Sequence, residues 1–188
     1  DGYQAKMREP LEMYDPEERG IEIVPTYPLL GLEGHIGENR EPQHLCNIYS
    51  LEEELYDVVL RFAEEYEKIS PELIEYKENQ CDDADIIILS HGVVSRAADD
   101  AVKALRAQGI KAGSFRPITL RPFPQAQLRE AIAKSGAKKM LIAESAYGQL
   151  DRLTKQEIYG ETIKIENLFK PGVGIIDYDI INKIKSML

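Results

Sequence analysis

The chain has 188 residues, 43% of them hydrophobic, which is enough for one core of ordinary size with an appendage or for two small units. Its net charge of −10 argues against nucleic acid or anionic membranes as partners, because most of the surface would repel them. Two cysteines are too few for a disulfide framework or an iron–sulfur cluster, and no apolar run approaches the roughly 18 residues of a membrane span, so we expect a soluble, cytoplasmic protein.

Residues 1–49 have the composition of an extended arm. No apolar period of 2 or 3.6 residues is sustained there, and prolines and glycines recur throughout. The apolar piece Ile21–Pro25 is expected to be a short strand. The first residues do not resemble a signal peptide, and the chain begins without methionine, so we expect it to be a fragment of a longer protein.

A connecting helix is predicted to begin at Ser50 and to end at Ser70 and Pro71, within a connecting region at residues 50–79. Ser50 followed by Glu53 is the capping-box pattern of helix starts. Apolar residues then recur at spacings of three and four and form one stripe, which comprises Leu51, Leu55, Val58, Val59, Phe62, Tyr66 and Ile69. The rest of the helix surface is acidic and is expected to face solvent.

The third region, residues 80–188, is predicted to be a three-layer αβα domain with a mainly parallel sheet, because strands and helices alternate along it. Ile86–Leu89 is a continuous apolar run, as a strand buried on both faces requires. Further strands are predicted at 110–115, 139–144 and 162–167, and helices at 95–108, 125–134, 150–158 and from 177 onward. Ser95 is expected to cap the first of these helices, with Asp99 and Asp100 in its first turn.

Ligands of open α/β sheets bind at the carboxyl ends of the strands, and three segments of this chain are expected there. The first holds five candidate residues: Ser90, His91, Gly92, Ser95 and Arg96. Gly92 permits a tight turn, the helix start offers free amides, and Arg96 can bind a phosphate or a carboxylate. The same residues also suit a plain strand-to-helix turn, and no sequence neighbour is evident to orient His91 as a base.

The second and third segments supply the remaining candidates. Arg116 follows the second strand and begins a stiff loop with three prolines, from which it could contact an anion or pair with Glu144. Glu144 ends an apolar strand, where a carboxylate must be paired, hydrated or protonated. Gly148 and Gln149 follow it. The histidines and cysteines lack the spacing of a metal site, and no serine elbow, P-loop or pair of catalytic carboxylates is present.

Taken together, these motifs resemble the C-terminal half of the alpha subunit of 2-oxoacid:ferredoxin oxidoreductases, the group that acts on pyruvate, 2-oxoglutarate or branched-chain 2-oxoacids. Phe115–Pro124 is similar to a family signature and is the most specific match. Asp82–Ile86 matches as well, as does Glu144 with the pair Gly148-Gln149. The beginning of the chain, with Asp1–Tyr3 and Met7–Pro10, looks like the end of the family's preceding domain.

The resemblance implies that residues 80–188 form a transketolase C-terminal-like domain and that residues 1–49 are the tail of a preceding domain. It also implies an enzyme that oxidatively decarboxylates a 2-oxoacid to an acyl-CoA with thiamine diphosphate, Mg and iron–sulfur clusters, all held outside this chain, and with beta and gamma subunits and ferredoxin as partners. We expect the isolated chain to be inactive, to bind no cofactor alone and to support subunit assembly and the access of CoA or substrate.

Two other hypotheses stay open from the sequence. The chain could be a small-anion or nucleotide binding module that uses Ser90–Arg96 as a cradle. It could also be a purely structural interaction domain, in which the acidic helix and the proline-rich arm contact sister subunits. Neither alternative requires a catalytic residue in this chain.

Overall fold

The computed structural model describes residues 48–188. The expected strand at Ile21–Pro25 and the arm around it therefore lie outside the described residues. The described residues fall into two compact units, with a boundary between Glu67 and Lys68. The three predicted regions, 1–49, 50–79 and 80–188, stay predictions.

The first element, helix α1, runs from Glu52 to Leu73. It begins two residues after Ser50, close to the predicted start. The predicted end at Ser70 and Pro71 is wrong, because the helix continues through Pro71 to Leu73. A proline within the last turn removes only its own backbone donor, so the helix can pass through it for a few residues.

The sheet has five strands: β1 (Tyr76–Asn79), β2 (Ile86–Ser90), β3 (Ala112–Pro117), β4 (Lys139–Glu144) and β5 (Lys164–Phe169). Their order is β1-β3-β2-β4-β5, and every pair is parallel except β1 with β3. The predicted α/β class and mainly parallel sheet are therefore confirmed. Strand β1 was not predicted, because its residues are mostly exposed and show no apolar pattern; backbone pairing with β3 holds it at the edge.

Four helices follow the parallel strands: α2 (Val94–Arg106), α3 (Gln125–Ser135), α4 (Gln149–Glu157) and α5 (Asp177–Met187). Two apolar clusters show that they cover both faces of the sheet. On one face Ile87 and Leu89 pack with residues of α3 and α4. On the other face Ile86 and Ile88 pack with residues of α2 and α5. The predicted three-layer architecture is confirmed, and it rests on the continuous apolar run of β2, which supplies both cores.

The start of α2 differs from its prediction. The residue before the helix is Val93, which makes no side-chain cap hydrogen bond, and the first turn contains no acidic residue. Ser95 therefore lies inside the helix and does not cap it, and Asp99 and Asp100 lie beyond the first turn. Gly92 has a φ of +61°, which lets the chain turn from β2 into the helix earlier than the position of Ser95 suggested.

Candidate functional site

A cavity of about 250 Å³ lies at the carboxyl ends of the central strands. Three of the predicted residues line it, namely His91 after β2, Glu144 at the end of β4 and Gln149 at the start of α4. The other lining residues are Val94, Leu120, Ser145, Ala146, Leu150 and Leu153. The walls are mostly apolar because the first turns of α2 and α4 present aliphatic side chains beside the strand ends.

Glu144 is the only acidic residue among the described residues of the cavity wall, and it is 6% exposed. Its Oε2 accepts a hydrogen bond of 2.9 Å from the backbone N–H of Leu150, and its Oε1 accepts one of 3.5 Å from the N–H of Asp151. These amides belong to the first turn of α4, where a helix leaves its N–H groups without backbone partners. The carboxylate therefore joins the end of β4 to the positive end of α4.

The predicted pairing of Glu144 with Arg116 does not occur. Arg116 is half-buried near the end of β3, and its neighbour across the antiparallel pair is Lys77 of β1. The carboxylate is already hydrogen-bonded by the α4 amides, which lie six and seven residues further along the chain. A helix that begins soon after a strand offers a closer set of donors than a side chain from another strand.

His91 is held in one orientation by a backbone carbonyl. Its Nδ1 lies 3.0 Å from the carbonyl oxygen of Pro117, at the end of β3. A carbonyl only accepts, so Nδ1 carries the proton, and in the neutral ring Nε2 is then an acceptor. The sequence offered no orienting group because Pro117 is 26 residues away.

The two serines of the Ser90–Arg96 turn, Ser90 and Ser95, hydrogen-bond to each other. The Ser90 hydroxyl donates to Ser95 Oγ at 3.3 Å, and the Ser95 hydroxyl donates to the Ser90 carbonyl at 3.1 Å. Both residues are buried. The two hydroxyls thus stabilise the junction of β2 and α2. Gly92 and Arg96 lie at the same junction and are half-buried.

Gly148 and Gln149 shape the loop between β4 and α4. Gly148 precedes α4 with a φ of +86°, and a Cβ at this position would lie 3.3 Å from Arg152 Nη1. The Gln149 side-chain oxygen accepts a hydrogen bond of 3.0 Å from the backbone N–H of Tyr147. Tyr147 is 72% exposed and contacts the ring of Phe169 at a centroid distance of 5.7 Å. The loop is therefore internally ordered at the cavity mouth.

Sequence reasoning missed the apolar wall of the cavity. None of Val94, Leu150 and Leu153 is among the residues that the sequence singled out, and Leu120 was noted only as part of a stiff loop. Their shared signal is position, since all four lie just after a strand or in the first turns of the helix that follows it. That position alone places a residue near the carboxyl edge of the sheet.

The described residues do not fit the metal centres that the resemblance implies. Residues 48–188 contain no group of three His, Cys, Asp or Glu side chains placed to hold a metal ion. An iron–sulfur cluster generally takes four thiolates, and the whole sequence has two cysteines. Within the same described range, no helix is long and apolar enough to cross a bilayer.

Comparisons with known proteins identify a family that this chain resembles. The model of the pyruvate:ferredoxin oxidoreductase core domain II matches residues 84–175. The ketoisovalerate oxidoreductase subunit VorB of Methanothermobacter thermautotrophicus is 30% identical over 192 residues, which cover 100% of this chain and 51% of VorB. The 2-oxoglutarate synthase subunit KorA of Methanothermobacter marburgensis is 35% identical over 116 residues, which cover 61% of this chain and 30% of KorA.

A solved 2-oxoglutarate:ferredoxin oxidoreductase from Magnetococcus marinus, with 2-oxoglutarate, coenzyme A and succinyl-CoA bound, has a similar fold. Its TM-score is 0.56 at 22% identity, and the match covers 86% of this chain and 26% of that one. At this identity the likeness concerns the fold alone. The chain also spans only about half the length of VorB.

Proposed function

The chain belongs to the 2-oxoacid:ferredoxin oxidoreductase family, and on that premise we propose that it is the non-catalytic C-terminal part of the alpha subunit of such an enzyme. The complete enzyme would depend on thiamine diphosphate and convert a 2-oxoacid, CoA and oxidised ferredoxin into an acyl-CoA, CO2 and reduced ferredoxin. This chain would contribute to subunit assembly and to the access of CoA or substrate.

A non-catalytic role is supported by the hydrogen bonds that the polar groups at the strand ends make with other parts of the fold. Glu144 accepts hydrogen bonds from the amides of α4, and Ser90 and Ser95 bond to each other. Cys81 is 3% exposed, and burial raises the pKa of its thiol to about 12. A nucleophile needs a nearby base or a lowered pKa, and these described side chains have neither.

The assembly role is supported by the surface of α1. Leu55, Val59 and Phe62 lie on its predicted apolar stripe, and they are 45%, 54% and 56% exposed. A continuous apolar surface of this kind typically marks an interface. Acidic residues line the remaining surface of α1, so we propose that the stripe contacts a neighbouring subunit whose matching surface is apolar and basic.

The catalytic part of this proposal is tested by comparing the isolated chain with the complete enzyme. Each would be supplied with CoA, a viologen dye and, in turn, pyruvate, 2-oxoglutarate and 2-oxoisovalerate. We expect dye reduction from the complete enzyme only. Reduction of the dye by the isolated chain would contradict a non-catalytic role.

The assembly part is tested with the double variant Val59→Ser and Phe62→Ser in the complete alpha subunit. We expect its affinity for the beta subunit, measured by sedimentation, to fall about tenfold or more, because each truncated side chain removes apolar contact area. Glu64→Ser, on another face of α1, is the matched control and should change affinity little. Equal affinities for the double variant and the parent subunit would rule out the stripe as a subunit interface.

A further inference from the structure

Strand β5 forms one edge of the sheet that the described residues build, with β4 as its neighbour. The N–H of Lys164 donates to the Lys138 carbonyl at 2.9 Å, and the N–H of Lys170 donates to the Glu144 carbonyl at 3.2 Å. The backbone groups of successive residues in a strand point to opposite sides, so the even-numbered residues of β5 bond to β4. The odd-numbered residues therefore direct their N–H and C=O groups away from the sheet.

The outward-pointing backbone groups of β5 have no partner among residues 48–188. They belong to Ile165, Asn167 and Phe169, and no hydrogen bond to their N–H or C=O groups occurs within that range. Such unpaired groups readily pair with another strand, unless a proline, a bulge or a covering segment protects the edge. β5 contains no proline, and its five residues after Lys164 are only half-buried. This edge is therefore open to a further strand.

One side of the edge offers apolar contacts. Ile165 packs against the core on the α3 and α4 side of the sheet, and Asn167 and Phe169 point to the same side because side chains alternate along a strand. The Phe169 ring contacts Tyr147, which is largely exposed. A strand placed beside β5 would thus meet apolar and aromatic side chains on this side.

The other side of the edge, towards α5, is basic. Lys164 Nζ lies 3.0 Å from one carboxylate oxygen of Glu166, and Lys183 Nζ lies 2.9 Å from the other oxygen. Lys139, which neighbours Lys164 in the sheet, donates to the Met187 carbonyl at the end of α5. Three lysines and one carboxylate therefore lie at this corner, and the Lys164 side chain is 68% exposed. The surplus of positive charge attracts acidic side chains.

A second copy of this chain fits the edge less well than an acidic segment does. Two β5 strands that paired antiparallel about Asn167 would use all the outward groups of both copies. In that register Lys164 of each copy would lie opposite Lys170 of the other. Like charges directly opposite each other destabilise a pair of strands, so self-pairing is disfavoured.

We propose that the free edge of β5 accepts an extended segment of a partner subunit, which adds a sixth strand to the sheet. The segment alternates apolar side chains, which lie beside Ile165 and Phe169, with acidic side chains, which face Lys164 and Lys183. In such complexes the backbone hydrogen bonds supply affinity and the alternate side chains supply specificity. This inference rests on the assembly role proposed above and deepens it, but it uses other residues than the stripe of α1.

The first test is hydrogen exchange of the β5 amides, resolved to single residues by mass spectrometry, in the 188-residue chain and in the complete enzyme. In the chain alone, Ile165, Asn167 and Phe169 should exchange fast and Glu166 and Leu168 slowly, because only the last two bond to β4. In the complete enzyme all five should exchange slowly. Fast exchange of the three outward amides in the complete enzyme would overturn the proposal. Protection that instead grows with the concentration of the chain alone would assign the edge to a second copy and would overturn it too.

A second test uses Asn167→Pro in the complete alpha subunit. Proline removes the outward N–H and its ring obstructs an added strand, whereas the hydrogen bonds to β4 are kept. We expect the Kd for the beta and gamma subunits, measured by sedimentation, to rise about tenfold or more, because the added strand loses a hydrogen bond and its close approach. Asn167→Thr keeps the N–H, suits a strand and should leave the Kd within about twofold. Equal Kd values for the two variants would contradict the proposal.

The acidic character of the segment is tested with Lys164→Gln and Lys183→Gln in the same assay at low salt. Each should raise the Kd about threefold or more, because an acidic side chain of the segment loses a cation beside it. Lys103→Gln removes an exposed lysine of α2 and is the matched control, with a Kd within about twofold of the parent. Effects no larger than those of the control would rule out an acidic segment at this edge.

The two assembly surfaces are distinguished by separate outcomes. An unchanged Kd for Val59→Ser with Phe62→Ser bears on the α1 stripe alone, whereas unchanged exchange at Ile165, Asn167 and Phe169 bears on the β5 edge alone. Circular dichroism identifies any variant that does not fold. Hydrogen exchange of the parent enzyme and the lysine variants then still decide the question.

Discussion

At the scale of single residues, polar groups near the sheet edge serve mainly to join elements. Glu144 joins β4 to α4, and Ser95 joins α2 to β2. His91 connects the ends of two strands through the Pro117 carbonyl. Residue types that suggest catalysis in a sequence can thus be occupied by structural hydrogen bonds in the fold.

Replacing Glu144 with glutamine should destabilise the domain by about 1–2 kcal/mol, because the charge that faces the first amides of α4 is lost. The free energy of unfolding in urea measures this effect. Glu130→Gln removes a carboxylate that is paired at the surface with Lys134, and it should cost less than about 0.5 kcal/mol. Equal stability of the Glu144 variant and the parent would show that the amide contacts are not stabilising.

Gly113 in β3 is required by a close backbone approach. A Cβ there would lie 2.6 Å from the Gln80 carbonyl oxygen and 2.9 Å from Cys81 Cα. Gly113→Ala should therefore cost about 3 kcal/mol, because backbone must move to relieve the overlap. Gly109→Ala is the control, since a Cβ there meets nothing within 4 Å and only the φ of +79° opposes it, at about 1 kcal/mol. Similar thermal stability of the two variants would contradict this account.

At the scale of elements, α2 is joined to the sheet by an arginine as well as by apolar packing. Arg106 Nε donates to the Ala112 carbonyl at 2.7 Å, and Nη2 donates to the Gln80 carbonyl at 2.8 Å and to Asp83 at 2.6 Å. The hydrogen bond from Arg106 also holds the pKa of Asp83 below its ordinary value. The end of α2 is thereby connected to the segment that precedes β2 and to the first residue of β3.

Arg106→Lys should destabilise the domain by about 1–3 kcal/mol, because a single ammonium group cannot reproduce the planar fork that meets three acceptors. Chemical denaturation measures this loss in the free energy of unfolding, and we expect the m-value to stay unchanged. Lys103→Gln, which breaks an exposed pair with Asp100, should change stability by less than about 0.5 kcal/mol. If Arg106→Lys were equally mild, apolar packing alone would account for the position of α2.

At the scale of the whole molecule, stability should depend on alkaline pH through Cys81. Burial raises the pKa of its thiol from 9.0 to about 12, and its Sγ donates to the Ser114 carbonyl at 3.2 Å. The folded state therefore keeps a proton that the unfolded state loses above pH 9. The stabilisation is complete below the unfolded pKa and is lost as pH rises through the folded one.

Between pH 8 and pH 10 the parent chain should lose about 1 kcal/mol more stability than Cys81→Ala, since one proton changes stability by about 1.4 kcal/mol per pH unit. Comparing the two proteins at both pH values cancels the titration of lysines and tyrosines. Cys46→Ala, the change at the other cysteine, is the control for loss of a thiol. If the stability of the parent and of Cys81→Ala fell equally with rising pH, this thiol would not be the cause of the loss of stability at alkaline pH.

The α/β class, the parallel strands and the helices on both faces could be predicted from the sequence, because the apolar periods that indicate them are local. Three features could be seen only in the folded chain: β1 joins the sheet edge, Glu144 accepts hydrogen bonds from the α4 amides, and Leu120 and Leu153 line one cavity. These features could not be predicted because the residues that form them are far apart along the chain. His91 and Pro117 are 26 residues apart and Glu75 and Thr119 are 44 apart, so only folding brings these partners together.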